Sequence, residues 1–279
     1  MILITGAKGQ LGTELQTRIP DAIATDYKEL DITNLVAVSS FVHRNKIDTI
    51  INCAAYTAVD RAEGDKAHAY KLNALGPEYL AKTGANMVHI STDYVFDGAA
   101  NRPYTPDDVA NPMSVYGATK KQGELGVIKH APNAVIIRTA WLYSPYGGNF
   151  VKTMRELGAQ RDSINVVCDQ IGTPTYAGDL ADAIVKIIPQ MNKDNGGIYH
   201  FSNEGVCSWY DFATQIMDMS GLKCRVNPIT SDKYPTRAVR PAYSVLDKSK
   251  IKQTFGLEID HWTKGLEKCI AKMNSEKQY

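Results

Sequence analysis

Ile2–Thr5 is a short apolar strand signal that passes without a spacer into Gly6-Ala-Lys-Gly9-Gln-Leu-Gly12. Three glycines at that spacing, after a strand and at the opening of a helix, permit a tight turn and a close backbone approach. Free amides and the positive end of the helix dipole then face the space above, which suits the pyrophosphate of a dinucleotide. Gln10 and Leu11 lie along the same turn. A glycine triplet alone also fits an ordinary strand-to-helix connection, so its weight depends on the elements downstream.

From residue 22 onward, short apolar runs alternate with amphipathic stretches. Strands are predicted at 2–5, 22–25, 49–53, 87–91 and 134–138, with helices at 11–19, 35–45, 66–83 and 114–130. Parallel strands joined by right-handed crossovers make an α/β chain with a Rossmann-like doubly wound parallel sheet, whose ligand crevice lies at the carboxyl ends of the strands. Beyond residue 149 the order is less regular. Helices are expected at 150–159, 179–190, 208–220 and 261–273, with a strand at 164–166. These predict a smaller C-terminal substrate lobe over 149–279, some segments of which return to a dinucleotide-binding domain spanning 1–148.

Charge narrows the function. The chain carries 31 basic and 30 acidic residues, a formal net charge of +1, which argues against nucleic acid or an anionic membrane as its main partner. Neither a leader-like start nor an apolar run of bilayer length is seen, so a cytoplasmic location is expected. Cys53, Cys168, Cys207, Cys224 and Cys269 form no CxxC pair and suggest neither a zinc site nor a disulfide framework.

The strand ends supply the chemistry. Asp26 closes the second strand where an acid bonds a ribose 2′-hydroxyl, which favours NADH, while Lys8 and Lys28 would attract a 2′-phosphate; NADH and NADPH both stay open. Asp31 and Ile32 follow at a loop suited to flank adenine. After the third strand, Cys53, Ala54, Ala55 and Tyr56 begin with small side chains that let a cofactor lie close over the sheet. Ser91, Thr92 and Asp93 end the fourth strand. Tyr116 and Lys120 then stand four apart on one helix face. A free phenol titrates near about 10, and lowering it by about three units requires roughly 4 kcal/mol of preference for the phenolate. An ammonium one turn away, with any positive charge on a cofactor, is the expected source.

The glycine turn, the hydroxyl residue after strand four and the Tyr-x-x-x-Lys pair together resemble the extended branch of the short-chain dehydrogenase/reductase superfamily. That resemblance implies Tyr116 as proton donor, Lys120 as the ribose contact that lowers the phenol, and Thr92 as the group that polarises the carbonyl. Dehydratases of the branch carry Thr-Asp-Glu, whereas this chain has Thr92-Asp93-Tyr94; simple ketone reduction needs no second carboxylate. The stretches AAYTAVDRAE, STDYVFDG, RTAWLYSPYGGNFVKTM, DQIGTPTYAGDLA and RPAYSVLDKSK are similar to the dTDP-4-dehydrorhamnose reductase family over nearly the whole chain. Membership would imply hydride transfer from NADPH or NADH to the C4 ketone of a dTDP-linked 4-keto-6-deoxysugar.

Family substrate contacts carry over to Thr92, Asp93 and Trp141. Trp141 is an apolar wall for the sugar or, alternatively, a core ring. Arg240, with Arg237 and Lys152 as weaker candidates, suits a diphosphate or is a solvated surface arginine. Asn149 and Gln170 offer neutral hydrogen bonds or serve as caps. Tyr243 replaces the Asn of some relatives. Certain relatives dimerise through magnesium on surface glutamates; those ligands find no match by position here, so a homodimer is left open and no metal site is assigned. Two rivals stand: a reductase of another nucleotide-linked deoxysugar, and a regulatory subunit that binds a dinucleotide without turnover.

Overall fold

The computed structural model describes residues 1–275. In the first half, β1 (Ile2–Thr5), α1 (Gln10–Gln16), β2 (Ile23–Thr25), α2 (Leu35–Arg44) and β3 (Thr49–Asn52) lead to α3 (Val59–Ala62), α4 (Lys66–Tyr70) and α5 (Gly76–Ala81). β4 (Asn86–Thr92), α6 (Val115–His130), β5 (Val135–Thr139) and β6 (Leu142–Tyr143) come next. The second half holds α7 (Phe150–Gln160), β7 (Ser163–Val167), β8 (Ile171–Gly172), β9 (Thr175–Tyr176), α8 (Ala177–Ile187), β10 (Gly197–His200), β11 (Cys207–Ser208), α9 (Trp209–Ser220), β12 (Arg225–Ile229), α10 (Ser249–Phe255) and α11 (Trp262–Ser275).

Six strands form one parallel sheet in the order β10-β5-β4-β3-β1-β2. The chain leaves β1 toward β2 and then returns to the other side of β1 for β3. That reversal opens a crevice above the carboxyl ends of β1 and β3. Side chains that alternate along each strand feed two cores, as the period of two requires. Ile4, Ile51, Val88 and Ile137 pack with α1, α8 and α10. Leu3, Ile50, Met87 and Ile136 pack with α2, α5 and α6 on the opposite face. A separate apolar cluster joins α7, α9 and α11 through Val151, Met154, Phe212, Ile216, Trp262 and Leu266. No helix among the described residues is long and apolar enough to cross a membrane.

Two departures from the sequence expectation bear on the cleft and the sheet. The helix expected over 66–83 is broken by a π-helical turn at Lys71–Leu75. Pro77 has no N–H to continue the ladder, and the extra residue turns the Asn73 side chain inward. Its Oδ1 accepts from Tyr56 N at 2.7 Å, and its Nδ2 donates to Tyr56 O at 3.1 Å and to Thr119 Oγ1 at 3.2 Å. The other is β10, the sixth strand of the sheet, which lies in a stretch where no strand is expected. Four residues between Gly197 and His200 give too little pattern alone; pairing with β5 fixes them as strand.

α6 positions the Tyr-Lys pair, and its inner face is not an apolar stripe. Gly117, Lys120, Glu124 and Val127 are buried there, one per turn. Ser114 caps the helix by accepting from Gly117 N. Glu124 receives both Arg138 Nε at 2.9 Å and Arg138 Nη2 at 2.7 Å from β5, together with the Ser91 hydroxyl from β4. Both charged side chains are almost fully buried, and Arg138 also lies 5.1 Å from the Phe96 ring centroid. Arg138→Met leaves a buried carboxylate unpaired and should destabilise the fold by roughly 3–5 kcal/mol. Arg138→Met/Glu124→Leu should recover most of that loss. Urea midpoints measure both, and a double variant as unstable as the single would count against the pair as the cause.

Candidate active site

The crevice is a continuous cleft of about 1280 Å³, larger than the ~300–1,000 Å³ typical of a site for one small ligand. At one end β1 runs into the glycine turn. Gly6 has φ +66°, and a Cβ there would meet Ala54 and Cys53 backbone atoms at 2.7–2.8 Å, so only glycine fits. Gly9 starts α1 with no side-chain cap, leaving first-turn amides for a ligand. Gly12 does not face the cleft. Its α-carbon packs on Gly6, where an added Cβ would lie 2.3 Å from Gly6 O, so its role is to let helix and turn approach.

Gly6, Gly9, Gln10, Leu11, Asp26, Asp31, Ile32, Ala54 and Ala55 all line this end. Asp26 Oδ2 accepts from Lys8 N at 3.1 Å and Oδ1 from Tyr27 N at 2.8 Å. Its own N–H donates to Glu29 Oε2 at 2.9 Å, which puts a second carboxylate beside it. Tyr56 is expected in the cleft but does not line it. The backbone of Tyr56 is held by Asn73 and its hydroxyl reaches Asp65 at 3.4 Å. Tyr27, Thr57, His68, Lys71 and Leu72 are among the other wall residues. His68, Lys71 and Leu72 lie on α4 and the π turn, away from the strand end where the motifs cluster, while Thr57 lies in the loop directly after β3; His68 and Lys71 share a one-turn spacing.

Thr92, Asp93, Tyr116, Lys120 and Trp141 meet at the other end of the same cleft. Thr92 ends β4; its hydroxyl donates to Asp93 Oδ1 at 3.0 Å and accepts from Tyr94 N at 3.2 Å. Asp93 is buried, and its Oδ2 has no hydrogen-bond partner among the described residues. Burial pushes its carboxyl up to about 6, against the Thr92 and Ser244 hydroxyls that pull it down. Trp141 adopts φ +48° and stacks on Trp209 with centroids 3.5 Å apart, so its ring is both a cleft wall and part of an aromatic layer.

The electrostatics of Tyr116 differ from the expectation. Burial pushes its phenol above the ordinary range, the Thr92 hydroxyl partly offsets this, and the negative charge of Asp93 adds to the rise. Lys120 does not reverse it. Its Nζ donates to Ile90 O at 2.6 Å, and burial lowers its pKa to about 8 while Glu124 opposes. The i,i+4 spacing put the pair on one face, but the long lysine stem carries the ammonium down to the strand carbonyl.

Asn149, Lys152, Gln170 and Arg240 are not among the residues that line the cleft. Asn149 caps α7, accepting from Lys152 N at 3.1 Å, while its Nδ2 donates to Gln10 Oε1 and Ser144 O; it ties a loop to the glycine turn and does not line the cleft. Arg240 stands behind the wall, with Nη1 donating to Tyr94 OH at 3.0 Å and Nη2 to Asp60 Oδ2 at 2.8 Å. Lys152 and Gln170 are bound to Pro145 O and Ser231 Oγ. Tyr243 packs toward Tyr104, centroids 6.4 Å apart.

Residues 1–275 match the RmlD substrate binding domain family. The dTDP-4-dehydrorhamnose reductase of Aggregatibacter actinomycetemcomitans is 43% identical, over 97% of this chain and 98% of that one. A crystal structure of a dTDP-4-dehydrorhamnose reductase from Clostridium acetobutylicum superposes with a TM-score of 0.94 at 46% identity, covering 98% of this chain and 99% of that one. The Bacillus anthracis dTDP-4-dehydrorhamnose reductase, crystallised with NADP, gives 0.93 at 41% identity, covering 97% and 98%. With the glycine turn, the Thr92-Tyr116-Lys120 set and the full-length match together, this chain belongs to the dTDP-4-dehydrorhamnose reductase family.

Proposed function

We propose that this chain reduces the C4 ketone of dTDP-4-dehydro-L-rhamnose to dTDP-L-rhamnose with a hydride from NADPH or NADH. The observation that carries it is one cleft with a dinucleotide cradle at one end and Thr92, Tyr116 and Lys120 gathered at the other. Full-length relatives named for this reaction support it. When bound, the reduced nicotinamide supplies the hydride. The glycine turn holds the pyrophosphate, and Ala54 and Ala55 give it close passage over the sheet.

Tyr116 supplies the proton. A neutral phenol is the form able to donate, and burial keeps it neutral. An alkoxide is a stronger base than a phenolate, so the raised phenol still gives up its proton as charge builds on the C4 oxygen. The Thr92 hydroxyl is the second donor to that oxygen, and Lys120 is the ribose contact. Asp93 Oδ2 is a buried acceptor for a sugar hydroxyl, and Trp141 is the apolar wall against the deoxysugar. We assign residues 1–148 to cofactor binding and most of 149–279 to the substrate.

Oxidation of reduced nicotinamide on adding the keto-sugar tests the reading; none with intact substrate would reject it. Tyr116→Phe should cut turnover by about 10² or more while cofactor affinity stays nearly constant. Wild-type turnover in that variant would remove its role.

Asp26 and Glu29 together repel a 2′-phosphate, so NADH should be the better cofactor. Asp26→Asn should shift the NADPH/NADH ratio of kcat/KM toward NADPH by roughly five- to tenfold, on the order of 1 kcal/mol of charge repulsion. An unchanged ratio would show that the carboxylate does not select.

Asp93 carries a stability cost. Its rise from the ordinary 3.8 to about 6 amounts to roughly 3 kcal/mol against the charged native form. The native state holds this proton more tightly than the unfolded chain, so stability falls as pH rises between those values and levels off above. Asp93→Asn should therefore raise the melting temperature near pH 8, with the gain vanishing near pH 4. An equal gain at both would contradict a burial penalty on charge.

A further inference from the structure

We infer that Arg240 is a positioning residue for Tyr116 that acts through Tyr94, a role that rests on the reductase reading above. Tyr94 lines the cleft and Arg240 does not. The two tyrosine rings meet edge to face, centroids 5.5 Å apart at 75°, the favoured arrangement for aromatic pairs. One guanidinium nitrogen donates to the Tyr94 hydroxyl at 3.0 Å and the other to Asp60 Oδ2 at 2.8 Å. Both terminal nitrogens are thus engaged by the protein, and the Nη1 bond to the Tyr94 hydroxyl stops that ring from swinging away from Tyr116.

The anchor is itself fixed. Ala238 N donates to Asp60 Oδ1 at 3.0 Å on one side of Arg240. On the other, Tyr243 N donates to Gly98 O at 3.2 Å, and Ile171 N and Ser244 N complete two bonds of 2.8 Å that knit 242–244 to β8. Asp60 lies on α3 of the first half and Arg240 on a segment from the second, so Asp60-Arg240-Tyr94 sets the orientation of the catalytic phenol ring by where the two halves meet. The same bonds leave Arg240 with a task other than neutralising a diphosphate.

Steady-state kinetics of Arg240→Gln, Tyr94→Phe and the double variant separate the two. Each single variant should lower kcat roughly ten- to a hundredfold, the scale for a misplaced reacting group, with KM for the keto-sugar little changed. The double variant should be no worse than the poorer single, since both cut one relay. A raised KM with kcat intact in Arg240→Gln, or losses that multiply, would overturn the proposal. If Arg240→Gln fails to fold, Tyr94→Phe carries the same test. The second readout needs no turnover: in protein labelled with [13Cζ]tyrosine, the signal lost in Tyr116→Phe marks the phenol. That signal should shift in Tyr94→Phe and in Arg240→Gln, and an unmoved signal in both would refute the relay even if wild type reduced no ketone.

Discussion

The buried contact between α6 and the sheet is the constraint on which the site depends. Glu124 and Arg138 are nearly inaccessible to water and bond through two nitrogens of one guanidinium. Such a pair need not add net stability, because removing two ions from water offsets most of their attraction. What it does is forbid alternatives. A helix slid by one turn would strand both charges, so the height of α6 over β4 and β5 is set within narrow limits. Tyr116 and Lys120 ride on that helix, and their height over the strand ends is set with it.

The same dryness governs the titratable groups above it. Burial is the leading cause at Tyr116, Lys120 and Asp93, and in each it favours the neutral form. A low-dielectric floor of this kind keeps the phenol protonated and lets short contacts act strongly. It also makes the carboxylate of Asp93 a costly group to hold.

Much of the dinucleotide end was legible because its signals are local. A glycine after a strand permits positive φ whatever surrounds it, and Asp26 sits at a strand end that the period of two already locates. The elements 2–5, 49–53 and 134–138 were placed to within a residue for the same reason. The π turn at Lys71–Leu75, the strand Gly197–His200 and the bond from Asn149 to Gln10 were not. Each depends on a partner far along the chain: Tyr56 and Thr119 for Asn73, β5 for the sixth strand, Gln10 for Asn149.

The sequence by itself determined the first five parallel strands, the glycine turn, and the places of Thr92 at a strand end and of Tyr116 and Lys120 on one helix face, since turn stereochemistry and helical spacing are properties of neighbouring residues. Only the tertiary structure decided which charges meet: that Lys120 ends on Ile90 O, that Arg240 is held by Asp60 and Tyr94, and that Asp93 keeps a buried oxygen with no hydrogen-bond partner among the described residues. Side-chain charges choose partners by distance and dielectric, and neither is written in the linear chain until the sheet and its helices have packed.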